Sequence, residues 1–146
     1  MEFNNPSTLR GLNFHEKIFG SIFQSVTART AGLNTLHIGS MQNATLFFII
    51  ILMFIGASPS STGGGIKTTT FGLLVLYSWS SLTGKKGINI FKRSISSDVI
   101  PKALTVAMLS LTLVIAVAML LSYVEGKDFI KILFEVVSAF GTVGLS

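Results

Sequence analysis

The chain has 146 residues, of which 49% are hydrophobic and 12% charged, with a mean hydropathy of +0.69; this composition excludes an ordinary soluble domain and points to an all-α integral membrane protein. A net charge of +5 raises nucleic acid as a partner, but the basic residues form no aromatic-interleaved patch and collect in one interhelical connection, so membrane lipid is expected and nucleic acid is not. With no cysteine, a disulfide framework and a thiolate metal site are excluded.

Residues 2–13 are polar and include Pro6 and Gly11, as a surface loop does, and the first twenty residues lack the basic start and apolar run of a signal peptide. The spacing of Phe14, Ile18, Ile22 and Val26 predicts an amphipathic helix over 14–28, too short to span a bilayer and suited to a pore helix. After a loop over 30–35, residues 44–57 carry no charge, yet they reach only about 21 Å as helix, short of a hydrocarbon core of about 30 Å. Apolar character resumes over 71–79. The intervening Ser58-Pro59-Ser60-Ser61-Thr62-Gly63-Gly64-Gly65-Ile66-Lys67-Thr68-Thr69-Thr70 breaks the span, because Pro59 removes a backbone donor and three successive glycines disfavour helix. At membrane depth such backbone is tolerated where it is buried in protein or lines a cavity.

Residues 80–102 carry Lys85, Lys86, Lys92, Arg93 and Lys102 against Asp98 alone, which sets this connection on the cytoplasmic side. Ser97 or Asp98 is placed to cap the next helix, with Pro101 in its first turn. Residues 103–124 are uncharged and give about 33 Å of helix, enough to cross. Gly126 should end that helix on the outer side. Asp128 can then cap a short helix through Phe140 with Phe129, Ile132, Leu133, Val136 and Val137 on its apolar side, whose partially negative C-terminal end favours a nearby cation.

Two segments, Thr30-Ala31-Gly32-Leu33-Asn34 and Thr142-Val143-Gly144-Leu145-Ser146, share the pattern Thr-x-Gly-Leu behind an apolar helical run. In such a strand successive carbonyls can face one axis and the glycine supplies a positive φ, so that backbone oxygens replace a cation's water shell. Repetition of one element is common in transport proteins. Either copy alone would read as a glycine turn after a helix; two copies favour a carbonyl filter for K⁺. The stretch from Phe134 to Gly144 is one residue longer than that from Phe23 to Gly32, so the correspondence rests on Thr-x-Gly-Leu.

The break invites two further readings. Ser60, Ser61, Thr62, Gly63, Gly64, Gly65, Lys67 and Thr68 form a candidate gate, in which glycine gives mobility and Lys67 brings positive charge near the path; the plainer readings are a hinge without gating and a Lys67 that snorkels to the inner surface. A phosphate loop fails at Ile66, since a Walker A sequence needs adjacent Gly-Lys behind a strand. Arg29 suits neutralisation of a helix C-terminus or pairing with an acid such as Glu135. His15 and His37 lack metal-site spacing and read as interfacial packing. The sequon Asn43-Ala44-Thr45 opens a membrane helix and reads as accidental. No nucleophile-base-acid set is present, so no catalytic residue is assigned and a non-enzyme is expected.

On the two Thr-x-Gly-Leu loops and on Gly56-Ala57-Ser58-Pro59 with the glycine run that follows, the chain resembles the Trk/Ktr/HKT superfamily of potassium transporters, most closely the membrane subunit of bacterial Ktr systems. That resemblance implies a fragment of a four-repeat helix-pore loop-helix cation transporter fold similar to potassium channels. Residues 1–79 would be the third repeat's pore helix, filter loop and broken inner helix, 80–102 a cytoplasmic loop, and 103–146 the fourth repeat's outer helix, pore helix and truncated filter loop. It further implies potassium uptake in a multi-pass protein of the bacterial plasma membrane, sodium as an activating ion, no organic cofactor, a homodimer, and a cytoplasmic nucleotide-binding regulatory subunit. Each loop has one glycine where the Thr-Val-Gly-Tyr-Gly strand of simple potassium channels has two. The competing readings are a non-conducting assembly segment and a membrane-embedded nucleotide-binding protein.

Overall fold

The computed structural model describes residues 13–29, 31–34, 38–84, 89–90, 93–96 and 98–146. The expected N-terminal loop, Thr30, Thr35, His37, Lys85, Lys86, Lys92 and Ser97 lie outside them. In chain order the elements are α1 (Phe14–Thr27), a single 3-10 turn (Ile38–Ser40), α2 (Asn43–Phe54), α3 (Thr68–Leu82), β1 (Asn89–Ile90), β2 (Arg93–Ser94), α4 (Val99–Glu125) and α5 (Phe129–Phe140). The two strands pair antiparallel, Asn89 opposite Ser94, and are the one departure from helix among the described elements.

Helix α4 has 27 residues and, among the described helices, is the one long and apolar enough to cross a membrane, at about 40 Å. Gly126 terminates it at φ +62° in the left-handed region, as its position predicts. Asp98 and Asp128 take the N-cap positions of α4 and α5, but neither makes a side-chain cap bond. Asp98 already has helical dihedrals (φ −75°, ψ −17°) and makes no side-chain cap bond, so its carboxylate does not reach the first free amides. At Asp128 it is the main-chain carbonyl that accepts the N–H groups of Lys131 (3.0 Å) and Ile132 (3.2 Å), while the carboxylate lies 3.8 Å from the Lys131 ammonium. Between α4 and α5, the Glu125 carboxylate hydrogen-bonds the Lys127 ammonium at 2.8 Å and raises its pKa above the ordinary lysine value.

The core lies where α5 crosses α2 and α4: Leu46, Ile49, Ile50 and Met53 of α2 meet Ile132, Phe134, Val136 and Val137 of α5, with Val114 and Ala118 of α4 closing the third side. Helix α3 has no buried residue and packs mainly on α4. Helix α1 forms where the spacing predicts it, with its apolar stripe turned outward. Phe14, Ile18, Ile22 and Val26 are all exposed, and Gln24 and Thr27 form the buried face. This orientation follows from the surroundings of a membrane protein: lipid and neighbouring helices accept apolar side chains, so polar and small groups are the ones turned toward the chain's own backbone.

The interruption of the span is also shifted. Helix α2 stops at Phe54 and α3 resumes at Thr68, where the expected break ran from 58 to 70. Ile55 leaves helical geometry (φ −81°, ψ 79°) to form a parallel bridge with Ile66. Thr68, Thr69 and Thr70 fill the first turn of α3, where β-branched residues crowd no preceding turn.

Gly72 and Gly126 both have open space where a Cβ would stand, but only Gly126 has positive φ. Gly72→Ala is therefore expected to stabilise the protein by about 1 kcal/mol through helix propensity, and Gly126→Ala to destabilise it by about 1 kcal/mol through left-handed strain. Thermal unfolding in detergent, with the two midpoints moving in opposite directions, checks this.

Candidate functional site

Both Thr-x-Gly-Leu loops hang from a hydroxyl on the helix before them. Thr27, the last residue of α1 and 1% exposed, donates its hydroxyl to the Leu33 carbonyl at 2.7 Å and accepts the Leu33 N–H at 3.1 Å. Ser138, in the last turn of α5, accepts the Leu145 N–H at 2.9 Å, while its carbonyl accepts the Val143 N–H at 2.9 Å. Counted from the hydroxyl, the second loop is one residue longer, the extra residue lying between Ser138 and Thr142, and Thr142 stands at φ +54°. This explains the mismatch in spacing upstream of the motif.

The clamps bring the loops together. Gly32 (φ +65°) and Gly144 (φ +81°) both use left-handed backbone, and a Cβ on Gly32 would stand 2.7 Å from the Val143 carbonyl oxygen and 3.9 Å from the Gly144 Cα. The loops differ in anchoring: Leu145 is 2% exposed and Leu33 62%. Val143 is buried beside Leu145, whereas Ala31, Asn34, Thr142, Gly144 and Ser146 are exposed and Gly32 half-buried. The Leu33 oxygen is turned toward Thr27 by the hydroxyl it accepts.

The glycine-rich break runs beneath the second loop in close contact. Gly64 N–H donates to the Thr142 hydroxyl oxygen at 2.8 Å, Gly65 N–H to the Phe140 carbonyl at 3.3 Å, and Ile66 N–H to the Phe54 carbonyl at 3.0 Å. A Cβ at Gly56 would collide with the Gly64 carbonyl oxygen, one at Gly64 with the Phe140 carbonyl oxygen, and one at Gly65 would come within 2.9 Å of Gly56 Cα. Phe54 and Phe140 stack alongside at 5.9 Å. In this arrangement the glycines permit close backbone approach, which is a different use from the mobility their sequence suggests. The amides of Gly64, Gly65 and Ile66 all have protein acceptors, so they do not cradle a phosphate here.

Lys67 holds the same segment: its ammonium donates to the carbonyls of Gly63 (2.6 Å) and Ser61 (3.0 Å). Ser60, Ser61, Thr62, Gly63, Gly64, Gly65 and Lys67 thus lie in the break, and Thr68 opens α3. Arg29 is exposed just beyond α1, and among the described residues the ion pairs are Lys127–Glu125 and Lys131–Asp128, so Arg29 and Glu135 are not paired. His15 sets its ring edge-to-face against Phe14 at 6.2 Å. Counting back three residues from each hydroxyl gives Gln24 and Glu135. Gln24 is buried with neither amide atom hydrogen-bonded, while Glu135 lines an apolar groove of about 370 Å³ between α4 and α5.

Compared with known proteins, residues 4–146 match the family model TrkH, described as cation transport protein. The chain belongs to the TrkH family. It is 47% identical over its whole length to the Ktr system potassium uptake protein B of Bacillus subtilis, covering 33% of that protein. It is 37% identical, again over its whole length, to the protein of the same name from Vibrio alginolyticus, covering 32% of it. To the potassium/sodium uptake protein NtpJ of Enterococcus hirae it is 38% identical over 99% of the chain and 33% of the relative. The chain spans about a third of the length of these relatives.

Thr27, Ser138, Gly56 and Gly141 escape sequence reasoning on the Thr-x-Gly-Leu motif, although a hydroxyl in the helix turn before each motif is visible in retrospect. Gly141 belongs with Gly56: a Cβ there would stand 3.0 Å from the Met53 carbonyl oxygen. Ser138→Ala leaves the Leu145 N–H buried without an acceptor and is expected to destabilise the protein by about 1–3 kcal/mol. Thr27→Ser should be close to neutral and Thr27→Val should cost about 1 kcal/mol. Unfolding by denaturant in mixed micelles measures all three.

Proposed function

We propose that this TrkH-family chain supplies two of the carbonyl loops of a potassium-uptake pathway in a multi-pass protein of the bacterial plasma membrane. The observation that carries the reading is the meeting of the two loops, with Gly32 and Gly144 both at positive φ and the Val143 carbonyl directed at Gly32. Backbone oxygens of Thr30, Ala31, Gly32 and Asn34, and of Thr142, Val143, Gly144, Leu145 and Ser146, are the proposed K⁺ ligands; the Leu33 oxygen, expected among them, accepts the Thr27 hydroxyl and serves as an anchor instead. Such oxygens replace hydration water without a side-chain charge, so the ion is held loosely enough to leave. In this reading 1–79 and 103–146 belong to the third and fourth of four repeats, 80–102 is cytoplasmic, and the complete protein is a homodimer that works with a nucleotide-binding regulatory subunit and is stimulated by Na⁺. The names of the Ktr and potassium/sodium uptake relatives support the ion and the multi-subunit system.

The break is the proposed gate. Its bonds to Thr142 and Phe140 tie it to the second filter loop, so displacement exchanges a small set of hydrogen bonds for others, and a regulator shifts the balance by contacting one arrangement better than the other. Lys67 sets the stiffness of the segment through the Ser61 and Gly63 carbonyls.

Two variants separate filter from gate. Gly144→Ser, which puts a side chain on left-handed backbone between the loops, is expected to reduce K⁺ uptake at least tenfold or to let Na⁺ compete. Lys67→Met is expected to raise basal K⁺ flux and weaken dependence on the regulatory subunit with the Na⁺/K⁺ preference unchanged. Isotope flux into liposomes measures both; a Gly144→Ser protein with wild-type uptake and selectivity contradicts the filter, and a Lys67→Met protein with low basal flux and full regulation contradicts the gate.

A further inference from the structure

A groove of about 340 Å³ opens between the first turns of α3 and α4, lined by Thr69, Thr70 and Leu73 on one side and Val99, Lys102 and Val106 on the other. We propose that it binds one anionic phospholipid of the cytoplasmic leaflet, the phosphate at Lys102 and the two threonine hydroxyls and an acyl chain along Leu73 and Val106.

The lining is polar at one end and apolar at the other, as a lipid is. Lys102 stands in the first turn of the helix that crosses the membrane, and among the described residues it has no ion pair or hydrogen bond; nor do the side chains of Thr69 and Thr70. At the cytoplasmic end of the span an ammonium meets the lipid headgroups and attracts anionic ones. The connection leading to α4 adds Lys85, Lys86, Lys92 and Arg93 against Asp98 alone, a field that favours anionic over zwitterionic headgroups. The exposed Phe71, Val75 and Trp79 of α3 extend the apolar surface away from the groove and suit the same lipid environment.

The inference does not depend on the ion pathway and is tested by lipid binding alone. The purified protein, exchanged into nanodiscs of equal phosphatidylglycerol and phosphatidylcholine and released for native mass spectrometry, is expected to retain one phosphatidylglycerol in preference to phosphatidylcholine. Lys102→Gln should lower that preference about fivefold, the contribution of one basic residue near an anionic surface, and Lys102→Arg should keep it. Val106→Trp fills the groove without altering charge and should abolish retention while the unfolding temperature stays near that of the wild type. Retention unchanged in Lys102→Gln or in a folded Val106→Trp overturns the proposal. So does displacement of the lipid by inorganic phosphate, which would mark a site for a soluble anion, or by the regulatory subunit, which would mark a protein interface.

Discussion

The peptide groups of the break between α2 and α3 must find partners inside the protein, and this requirement organises the surrounding fold. In hydrocarbon an unsatisfied amide costs several kcal/mol, and Gly64, Gly65 and Ile66 meet the requirement with acceptors on Thr142, Phe140 and Phe54. Those acceptors lie on the second Thr-x-Gly-Leu loop, the end of α5 and the end of α2, so satisfying the break fixes three elements at once. Close approach is possible because Gly56, Gly64 and Gly65 present no Cβ. The interrupted helix is in this sense a connector between the second loop and the ends of α2 and α5.

A second repeated device is the hydroxyl before each loop. Thr27 and Ser138 each hold the amide of the leucine that follows the positive-φ glycine, and each is buried. The two copies diverge in what surrounds them. Leu145 enters the core made by α2, α4 and α5, whereas Leu33 is exposed and its loop is fixed mainly by Thr27 in both directions. The second loop is thus the more firmly held of the two, and it is also the one the break touches.

Much of this was legible in the sequence where apolar runs and glycines act locally. The single long span, its end at Gly126, the short helix after Asp128 and the position of α1 all follow from length and periodicity. Three features were not legible. The buried face of α1 does not follow from periodicity, since Phe14, Ile18, Ile22 and Val26 face outward while Gln24 and Thr27 are turned in. Aspartate capping depends on the dihedrals of Asp98 and on the Lys131 ammonium near the Asp128 carboxylate, which composition does not reveal. The role of the glycines in the break depends on contacts across some eighty residues, such as Gly64 with Thr142, and a local reading assigns them freedom when the fold uses their lack of a side chain. Gln24 remains buried without a hydrogen-bond partner among the described residues.

Hydrogen exchange of the break tests the central claim most directly, because mobility and close packing give opposite results. With the protein in nanodiscs, peptides covering residues 61–67 are expected to exchange as slowly at Gly64, Gly65 and Ile66 as helix α5 does, and Thr142→Val is expected to release Gly64 selectively. Complete exchange of these amides at the shortest labelling time in the wild-type protein, with Thr142→Val making no difference, would contradict the packed connector described here.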